Sequence, residues 1–156
     1  MNRTYYKGGV YTYRPPTHRS KFEDQLSAQI KSLCRKEDYE GYTIRYTQPI
    51  SEHVYTPDFV LPNGIVIEAK GILQLADRKK HLLIKEQYPN LDIRFVFQNA
   101  KNKIRKGSKT TYADWAEKHG FLYANRQIPE AWLREEKKNT DGLIPKKKKK
   151  VKKKVK

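Results

Sequence analysis

A chain of 156 residues, with 34 Lys and Arg against 17 Asp and Glu and a formal net charge of +17, is long enough for one domain with a modest core. Its single cysteine excludes an intramolecular disulfide and a zinc site built on cysteines, and no apolar stretch approaches the about 18 residues of a transmembrane helix. The basic excess favours nucleic acid as partner over an anionic membrane surface, because no amphipathic helix with an aromatic face accompanies the basic run.

Residues 1–19 are basic and tyrosine-rich, and Gly8-Gly9 and Pro15-Pro16 interrupt them. This pattern predicts a flexible arm that becomes ordered only on DNA. Residues 1–7 lack the apolar core of a signal peptide, and the sparing use of cysteine favours a reducing cytosol.

A helix is predicted from Ser20 onward, because apolar residues recur at spacings of three and four. These residues are Phe22, Leu26, Ile30 and Leu33. Ser20 is the natural N-cap, and Glu23 lies three residues later, where it would complete a capping box. From the residues alone, this capping role and a functional role for Glu23 carry equal weight.

Residues 42–47 alternate polar and apolar side chains and predict a first strand. Residues 48–53 predict an extended connector, because Pro49 argues against a central strand there.

Two short strands joined by a turn are predicted over residues 55–70. Residues 62–64, Pro-Asn-Gly, supply the turn, and the β-branched run at 65–67 predicts a buried strand. That strand ends in Glu68 and Lys70, whose side chains must share one face because side chains alternate along a strand.

If the hairpin folds Asp58 back against the end of the second strand, Asp58, Glu68 and Lys70 meet at one point. Carboxylates are the ligands that Mg²⁺ and Mn²⁺ prefer, and open coordination positions admit water and a phosphate oxygen, so this set predicts metal-dependent hydrolysis. The lysine would hold the attacking water and offset developing charge. A solvated strand face or a cross-strand ion pair is the plainer interpretation of Glu68 and Lys70.

A helix is predicted over residues 77–87, with residues 82–84 inward and its cations outward, and a buried strand follows at 93–97. The strand-helix-strand order implies a right-handed crossover beside the Glu68 strand. The predicted fold class is therefore α/β, with a small mixed β-sheet flanked by helices.

Residues 101–109 form a strongly basic loop before a helix predicted over 111–119, and a short helix follows at 128–133. Phosphate contact is the predicted role of this loop, and a solvated loop is the alternative. Trp115 and Trp132 are predicted core anchors. The predicted DNA-binding residues are Arg78, Lys79, Lys80, Lys103, Arg105, Lys106 and Lys109.

Residues 146–156 hold nine lysines and no acid, and taking these nine charges from +17 leaves +8 for the rest of the chain. The sequence therefore predicts a folded domain over 20–136 and a disordered, lysine-rich tail over 137–156 that binds DNA nonspecifically. The lysine run also resembles a nuclear-import signal, a match that such runs often produce.

The Pro57-Asp58 pair followed by Glu68-Ala69-Lys70 resembles the signature of the PD-(D/E)xK nuclease superfamily. A longer set of runs closely resembles the endonuclease I family of podoviruses, which are phage Holliday-junction resolvases. The runs lie at residues 20–24, 53–59, 61–65, 68–71, 77–84, 91–94, 106–108 and 117–120. The likeness spans about 20–132 and leaves the arm and the tail divergent.

The resemblance implies that Asp58, Glu68 and the backbone carbonyl of Ala69 bind metal, that Lys70 orients or activates water, and that Glu23 is a further catalytic acid. It implies a restriction-endonuclease-like fold in an intertwined, segment-swapped homodimer. Residues 48–53 would form the bridge between protomers, so that Glu23 joins the catalytic residues of the partner subunit.

The same resemblance implies paired nicks across four-way DNA junctions, with 5′-phosphate ends and two Mg²⁺ per site, for which Mn²⁺ would substitute. Branched DNA would be read by shape through its phosphates, in the cytoplasm of an infected bacterial host, with no membrane and no organic cofactor. His53 and His81 would approach the phosphates or serve ordinary polar packing.

Two other functions remain open from the sequence. One is a less selective nuclease of the same superfamily, which would share the catalytic residues and cut mismatched or linear duplex. The other is a basic nucleic-acid-binding protein without catalysis. The grouping of Asp58 with Glu68 disfavours the second, because carboxylates without metal repel phosphate.

Overall fold

The computed structural model describes residues 17–34, 36–48 and 51–147, which fold as a mixed α/β protein with two small sheets. The helices are α1 (Lys21–Cys34), α2 (Leu75–Gln87), α3 (Tyr112–Lys118) and α4 (Glu130–Leu133). The strands are β1 (Tyr42–Gln48), β2 (Ser51–Tyr55), β3 (Phe59–Val60), β4 (Val66–Lys70), β5 (Ile93–Phe97), β6 (Tyr123–Asn125) and β7 (Ile144–Pro145). The predicted α/β class is confirmed, and no helix of the described ranges is long and apolar enough to cross a membrane.

The larger sheet has the strand order β3-β4-β5-β6. β3 and β4 are antiparallel, and the turn between them includes Gly64 at φ +88°. β4 and β5 are parallel, with α2 between them in the chain, and β5 and β6 are also parallel. The predicted hairpin and βαβ unit are thus present. β6 was not predicted, because three residues are too few to show a strand pattern.

The two faces of this sheet carry separate apolar clusters, because side chains alternate along β4 and β5. Val66 and Phe95 contribute to one cluster, with residues of α2, α3 and β1. Ile67 and Val96 contribute to the other, with residues of α1 and α4. The sheet is therefore covered on both faces, and its strand ends are held in a rigid core.

The predicted core residues of α1, α3 and α4 are buried, with one exception. Trp115 and Trp132 are buried, each in a different cluster, as predicted. Of the predicted α1 stripe, Phe22, Leu26 and Ile30 are buried. Leu33 is 43% exposed, because it lies in the last turn of the helix, beyond the edge of the cluster.

The smaller sheet has the order β2-β1-β7, with antiparallel pairing throughout. Gln48 pairs with Ser51, so residues 48–53 were wrongly predicted as an extended connector. Gln48 ends β1, and residues 51–53 belong to β2. The pairing sets His53 opposite Tyr46, and their rings stack with centroids 5.4 Å apart. Residues 49 and 50 lie outside the described ranges.

Residues 138–146, here called the C-terminal strap, pack onto the domain, where the sequence predicted a disordered tail from residue 137. The Lys138 N–H donates to the Asn63 carbonyl at 2.7 Å, and the Lys146 N–H donates to the Gly41 carbonyl at 2.7 Å. β7 pairs with β1 between these two anchors, and Leu143 packs against the core. The predicted arm through residue 16 and the lysine run from 148 lie outside the described residues.

Candidate active site

Two carboxylates meet where β3 begins and β4 ends. Phe59 pairs with Ile67, so the next antiparallel position sets Asp58 opposite Glu68. The Ala69 N–H donates to Oδ2 of Asp58 at 2.8 Å, which fixes the aspartate against the β4 backbone. Asp58 is 9% exposed and Glu68 is 3% exposed. The convergence predicted from the hairpin is therefore present in a buried setting.

The Glu68 carboxylate is held from two sides. Its Oε2 accepts a hydrogen bond of 2.5 Å from the Tyr55 hydroxyl at the end of β2, and its Oε1 lies 3.0 Å from Nζ of Lys70. His81 of α2 is fully buried beside them, with Nε2 3.8 Å from Oε1 of Glu68 and Nδ1 2.8 Å from the Asp77 carbonyl. Glu68 and Lys70 share one strand face, as the alternation predicted.

Lys70 bridges the end of β4 and the start of α2. Its Nζ lies 3.1 Å from Oδ1 of Asp77, while Oδ2 of Asp77 accepts the Gln74 N–H at 3.2 Å at the helix start. Burial lowers the pKa of the Lys70 ammonium, but the charges of Glu68 and Asp77 outweigh burial and hold this pKa above its usual range. Lys70 is therefore a fixed cation at neutral pH.

The two carboxylates titrate as a coupled pair. Burial and the charge of Glu68 raise the pKa of Asp58 well above its usual range, despite the hydrogen bond from Ala69. Burial also opposes ionisation of Glu68, but His81 and Lys70 outweigh it and hold the pKa of Glu68 well below its usual range. A raised pKa on one acid and a lowered pKa on its neighbour are expected where two carboxyl groups share a buried site and only one of them has cationic partners.

Glu23 approaches the site from the first turn of α1. Ser20 Oγ accepts the Glu23 N–H at 3.1 Å and donates to Oε1 of Glu23 at 3.1 Å, so the predicted capping by Ser20 is confirmed. Oε2 of Glu23 accepts a hydrogen bond of 2.5 Å from the Tyr39 hydroxyl. Tyr39 also forms a β-bridge with Phe59, the residue after Asp58, so Glu23 lies on the same side of the chain as Asp58.

That arrangement within one chain differs from the exchange between subunits that the resemblance implied. α1 packs through Phe22, Leu26 and Ile30 on the same cluster as Phe59 and Ile67 of its own chain. Tyr39 forms a β-bridge with Phe59, and the Glu40 N–H donates to the Asp58 carbonyl at 2.9 Å. The closed β1–β2 hairpin allows this return, because it folds the chain back before β3.

Comparison with known proteins adds a relationship over nearly the whole chain. A family model described as Phage endonuclease I matches residues 4–156. The chain belongs to the phage endonuclease I family. It is 53% identical over 135 residues to "Endodeoxyribonuclease 1" of Enterobacteria phage T3, covering 86% of this chain and 89% of the T3 protein. It is 51% identical over 120 residues to "Endonuclease I" of Escherichia phage T7, covering 77% of this chain and 80% of the T7 protein.

In this member of the family, the predicted DNA-contact residues follow β4 in the chain. Lys80 lies with Nζ 3.8 Å from Oδ1 of Asp77 and 5.0 Å from the centroid of the Tyr55 ring, so it belongs to the site. Lys103 donates from Nζ to the Lys109 carbonyl at 2.7 Å and holds the basic loop closed. The other predicted cations that the structure shows exposed are Lys79, Arg105, Lys106 and Lys109. Their contact with DNA remains a prediction.

Three residues that shape the site were not singled out from the sequence. Tyr55 contacts Glu68, Asp77 contacts Lys70, and Tyr39 contacts Glu23. Asp77 carried a weak signal as an acid in the first turn of a helix that follows the active-site strand. The tyrosines carried none, because their roles depend on which strands pack together. His53, which the sequence left undecided, stacks in the β1–β2 hairpin.

The donor set fits a hard divalent cation. The two carboxylates that converge are those of Asp58 and Glu68. Within the described ranges, no group of three or more His, Cys, Asp or Glu side chains is arranged to hold a metal. Carboxylate oxygens are the ligands that hard divalent cations prefer, and Asp58 and Glu68 bring two carboxylates together beside Lys70. Two carboxylates also leave coordination positions for water and phosphate.

Proposed function

We propose that this member of the phage endonuclease I family is a metal-dependent endodeoxyribonuclease that resolves four-way and other branched DNA junctions by paired nicks. The convergence of Asp58, Glu68 and Lys70 at the ends of β3 and β4 carries this proposal. The T3 and T7 relatives are named as an endodeoxyribonuclease and an endonuclease, which supports the reaction class. The basic excess of the chain supports a polyanionic substrate.

Asp58, Glu68 and the backbone carbonyl of Ala69 would hold the cation, which we propose to be Mg²⁺, with Mn²⁺ as a substitute and two ions per site. A bound divalent cation lowers the pKa of a coordinated water and neutralises charge on the phosphate. Ionisation of Asp58 is then expected on binding, because its proton and the cation compete for the same oxygens.

Lys70 supplies a permanent positive charge and hydrogen-bond donors rather than a base. Its raised pKa means that it remains protonated, so it would orient the attacking water or a phosphate oxygen and offset developing negative charge. Asp77 and Glu68 fix its position from two sides. Glu23 would act beside Asp58 as a further acid, in a position that Tyr39 fixes.

Paired nicking requires two sites, and we propose that two copies of the chain supply them in an intertwined homodimer with residues 48–53 as the bridge. The sheet with carboxylates at the ends of β3 and β4 supports a restriction-endonuclease-like core. Junction shape would be read through phosphates by lysine and arginine. The proposed place of action is the cytoplasm of the infected bacterial host.

Cleavage of an immobile four-way junction beside linear duplex of the same sequence, both with Mg²⁺, tests the proposal. The wild-type chain should make symmetric nicks in the junction and leave most duplex intact. Glu68→Gln, which keeps the shape of the side chain, should lose cleavage and retain junction binding. Glu86→Gln, an exposed change on α2, is the matched control and should cut normally.

Equal cutting of junction and duplex would contradict junction resolution and favour a less selective nuclease of the same superfamily. Tight binding without cleavage in Mg²⁺ or Mn²⁺ by the wild-type chain would contradict the proposal and favour the noncatalytic DNA-binding protein.

A further inference from the structure

A groove beside the proposed active site combines cations with exposed apolar side chains. It has a volume of about 590 Å³ and lies between the segment that follows β4 and the basic loop 101–109. Ile72 and Leu75 lie on one wall, and Ile104, Arg105 and Lys106 lie on the other. The groove begins at Ile72, two residues after Lys70 in the chain, and includes Arg78, the neighbour of Asp77.

The apolar wall is exposed without a folding reason. Ile72 is 68% exposed and Leu75 is 55% exposed, whereas Leu73 between them is 1% exposed and fills the core. Large aliphatic side chains in water lose the stabilisation that burial would give them. Some DNA-binding proteins insert aliphatic side chains between base steps, because the faces of nucleobases are apolar.

The charges of the groove have one sign. Arg78, Arg105 and Lys106 line it, and none of the described residues that line it is Asp or Glu. Nε of Arg78 is buried and has no hydrogen-bond partner among the described residues. A Cβ added at Gly107 would meet no atom within 4 Å, so space is open at the loop tip. This pattern is complementary to phosphates.

Local contacts define the shape of both walls of the groove. Ile104 donates its N–H to the Thr110 carbonyl at 3.0 Å, and Ser108 donates its N–H to the Arg105 carbonyl at 3.1 Å, which closes the basic loop on itself. On the other wall, Arg78 follows Asp77, the partner of Lys70, on the first turns of α2. Arg78 therefore lies next to the residue that holds Lys70, and the loop that carries Arg105 and Lys106 has a defined shape.

We propose that this groove binds unpaired nucleotides of the DNA strand next to the scissile phosphate. Their bases would pack on Ile72 and Leu75, and their phosphates would contact Arg78, Arg105 and Lys106. A closed duplex cannot use the apolar wall, because its bases are stacked inside the helix. The groove thus adds a preference for branch points with exposed bases, an inference that rests on the proposed nuclease function and deepens it.

Binding measurements on the full-length chain in metal-free buffer test the groove without cleavage. The probes are a four-way junction with two unpaired thymines at the branch point and a linear duplex of equal length. Ile72→Ser/Leu75→Ser should weaken binding of the first probe about tenfold and leave duplex binding unchanged, because base contacts rather than charge are lost. Leu122→Ser, at a leucine 56% exposed outside the groove, is the control and should change neither affinity.

A variant that removes charge separates the two walls. Arg105→Gln/Lys106→Gln should weaken binding of both probes and reduce the salt dependence of binding, because phosphate contacts are independent of base pairing. When 2-aminopurine occupies the unpaired position, binding of the wild-type chain should change the fluorescence of that base. Binding of the Ile72→Ser/Leu75→Ser variant should leave the fluorescence unchanged.

Unchanged selectivity and unchanged fluorescence response in Ile72→Ser/Leu75→Ser would overturn the inference. If the wild-type chain nonetheless nicks junctions in Mg²⁺, only the groove's role fails. If the wild-type chain does not cut DNA at all, the proposed function fails, and the groove loses the scissile phosphate on which it depends.

Discussion

A single hydroxyl fixes the carboxylate at the centre of the proposed site. Tyr55 donates to Oε2 of Glu68, and Lys70 lies against Oε1, so both oxygens have defined directions before any cation arrives. Groups that orient metal ligands affect metal affinity and activity about 10- to 100-fold. Tyr55 is therefore expected to matter for catalysis, although it is not itself a proposed metal ligand.

We expect Tyr55→Phe to lower the cleavage rate at subsaturating Mg²⁺ by at least about tenfold, because Glu68 loses the hydrogen bond that orients it. Junction affinity in metal-free buffer should not change. Higher Mg²⁺ should recover part of the rate, which a purely structural defect would not allow. Tyr123→Phe, which removes a hydroxyl bonded to Glu117 on α3, is the control and should cut normally. A rate equal to wild type at low Mg²⁺ would exclude the positioning role.

At the scale of elements, the active-site hairpin depends on the C-terminal strap. Gly64 in the turn has φ +88°, and a Cβ there would lie 2.9 Å from Cγ2 of Thr140 and 3.2 Å from the Lys138 carbonyl oxygen. Gly107 also has a positive φ, +77°, but a Cβ there meets nothing within 4 Å. Alanine substitutions at these two glycines therefore distinguish the cost of a positive φ alone from the cost of a positive φ with a steric clash.

We expect Gly107→Ala to lower the free energy of unfolding by about 1 kcal/mol, the cost of a left-handed alanine. Gly64→Ala should cost at least about 2 kcal/mol, because contact with the strap adds to that strain. Thr140→Ser in the Gly64→Ala background should recover part of the difference, because it removes Cγ2. Urea unfolding measures all three, and equal losses for the two glycines would show that the strap does not press on the turn.

The end of α4 is tied to β5 by a buried guanidinium. Arg94 is 2% exposed and donates to both oxygens of Glu135 at 2.7 Å, and also to Asp92. Hydrogen bonds from Arg94 and Lys138 lower the pKa of Glu135 from 4.5 to about 2. Because the folded state lowers this pKa, the stabilisation is present above pH 4.5 and is lost as the pH falls towards 2.

We therefore expect Glu135→Gln to lower the free energy of unfolding at pH 7 by about 1 to 2 kcal/mol, since Asp92 still partners Arg94. The difference from wild type should shrink as the pH falls from about 4.5 to about 2, where Glu135 becomes protonated in the wild-type chain. Denaturant titrations at several pH values measure this. Glu136→Gln, at the exposed neighbour, should show no such trend. A difference independent of pH would assign the effect to shape rather than charge.

The core of the site could be predicted from the sequence because its signals are local. The turn at 62–64 and the β-branched run after it fix the hairpin, and alternation then places Glu68 and Lys70 on one face. β2 was read as a connector, because its residues are mostly polar and exposed. Tyr55 and Asp77 gave no comparable signal, because their contacts with Glu68 and Lys70 depend on how one element packs against another and not on a pattern within one element.

At the scale of the whole molecule, the pairing of β1 with β2 bears on which chain would complete the site in the proposed dimer. With β1 and β2 paired, Tyr39 joins Glu23 to the strand that follows Asp58 of the same chain. If residues 48–53 open into a bridge, the same contacts can form between two copies, since exchange of identical elements preserves them. The proposed homodimer therefore predicts a specific rescue between two inactive variants.

We expect Glu23→Gln and Glu68→Gln each to be inactive alone and to regain nicking when unfolded together and refolded as a mixture. In an exchanged heterodimer one site combines the intact Glu23 of one chain with the intact Glu68 of the other, and the second site carries both changes. Junctions should then be nicked in one strand only, without paired cleavage. In a dimer without exchange, each site would carry one change and no activity would return. Mixing the folded variants without denaturant is the control, and rescue should be absent there if exchange requires the hairpin to open.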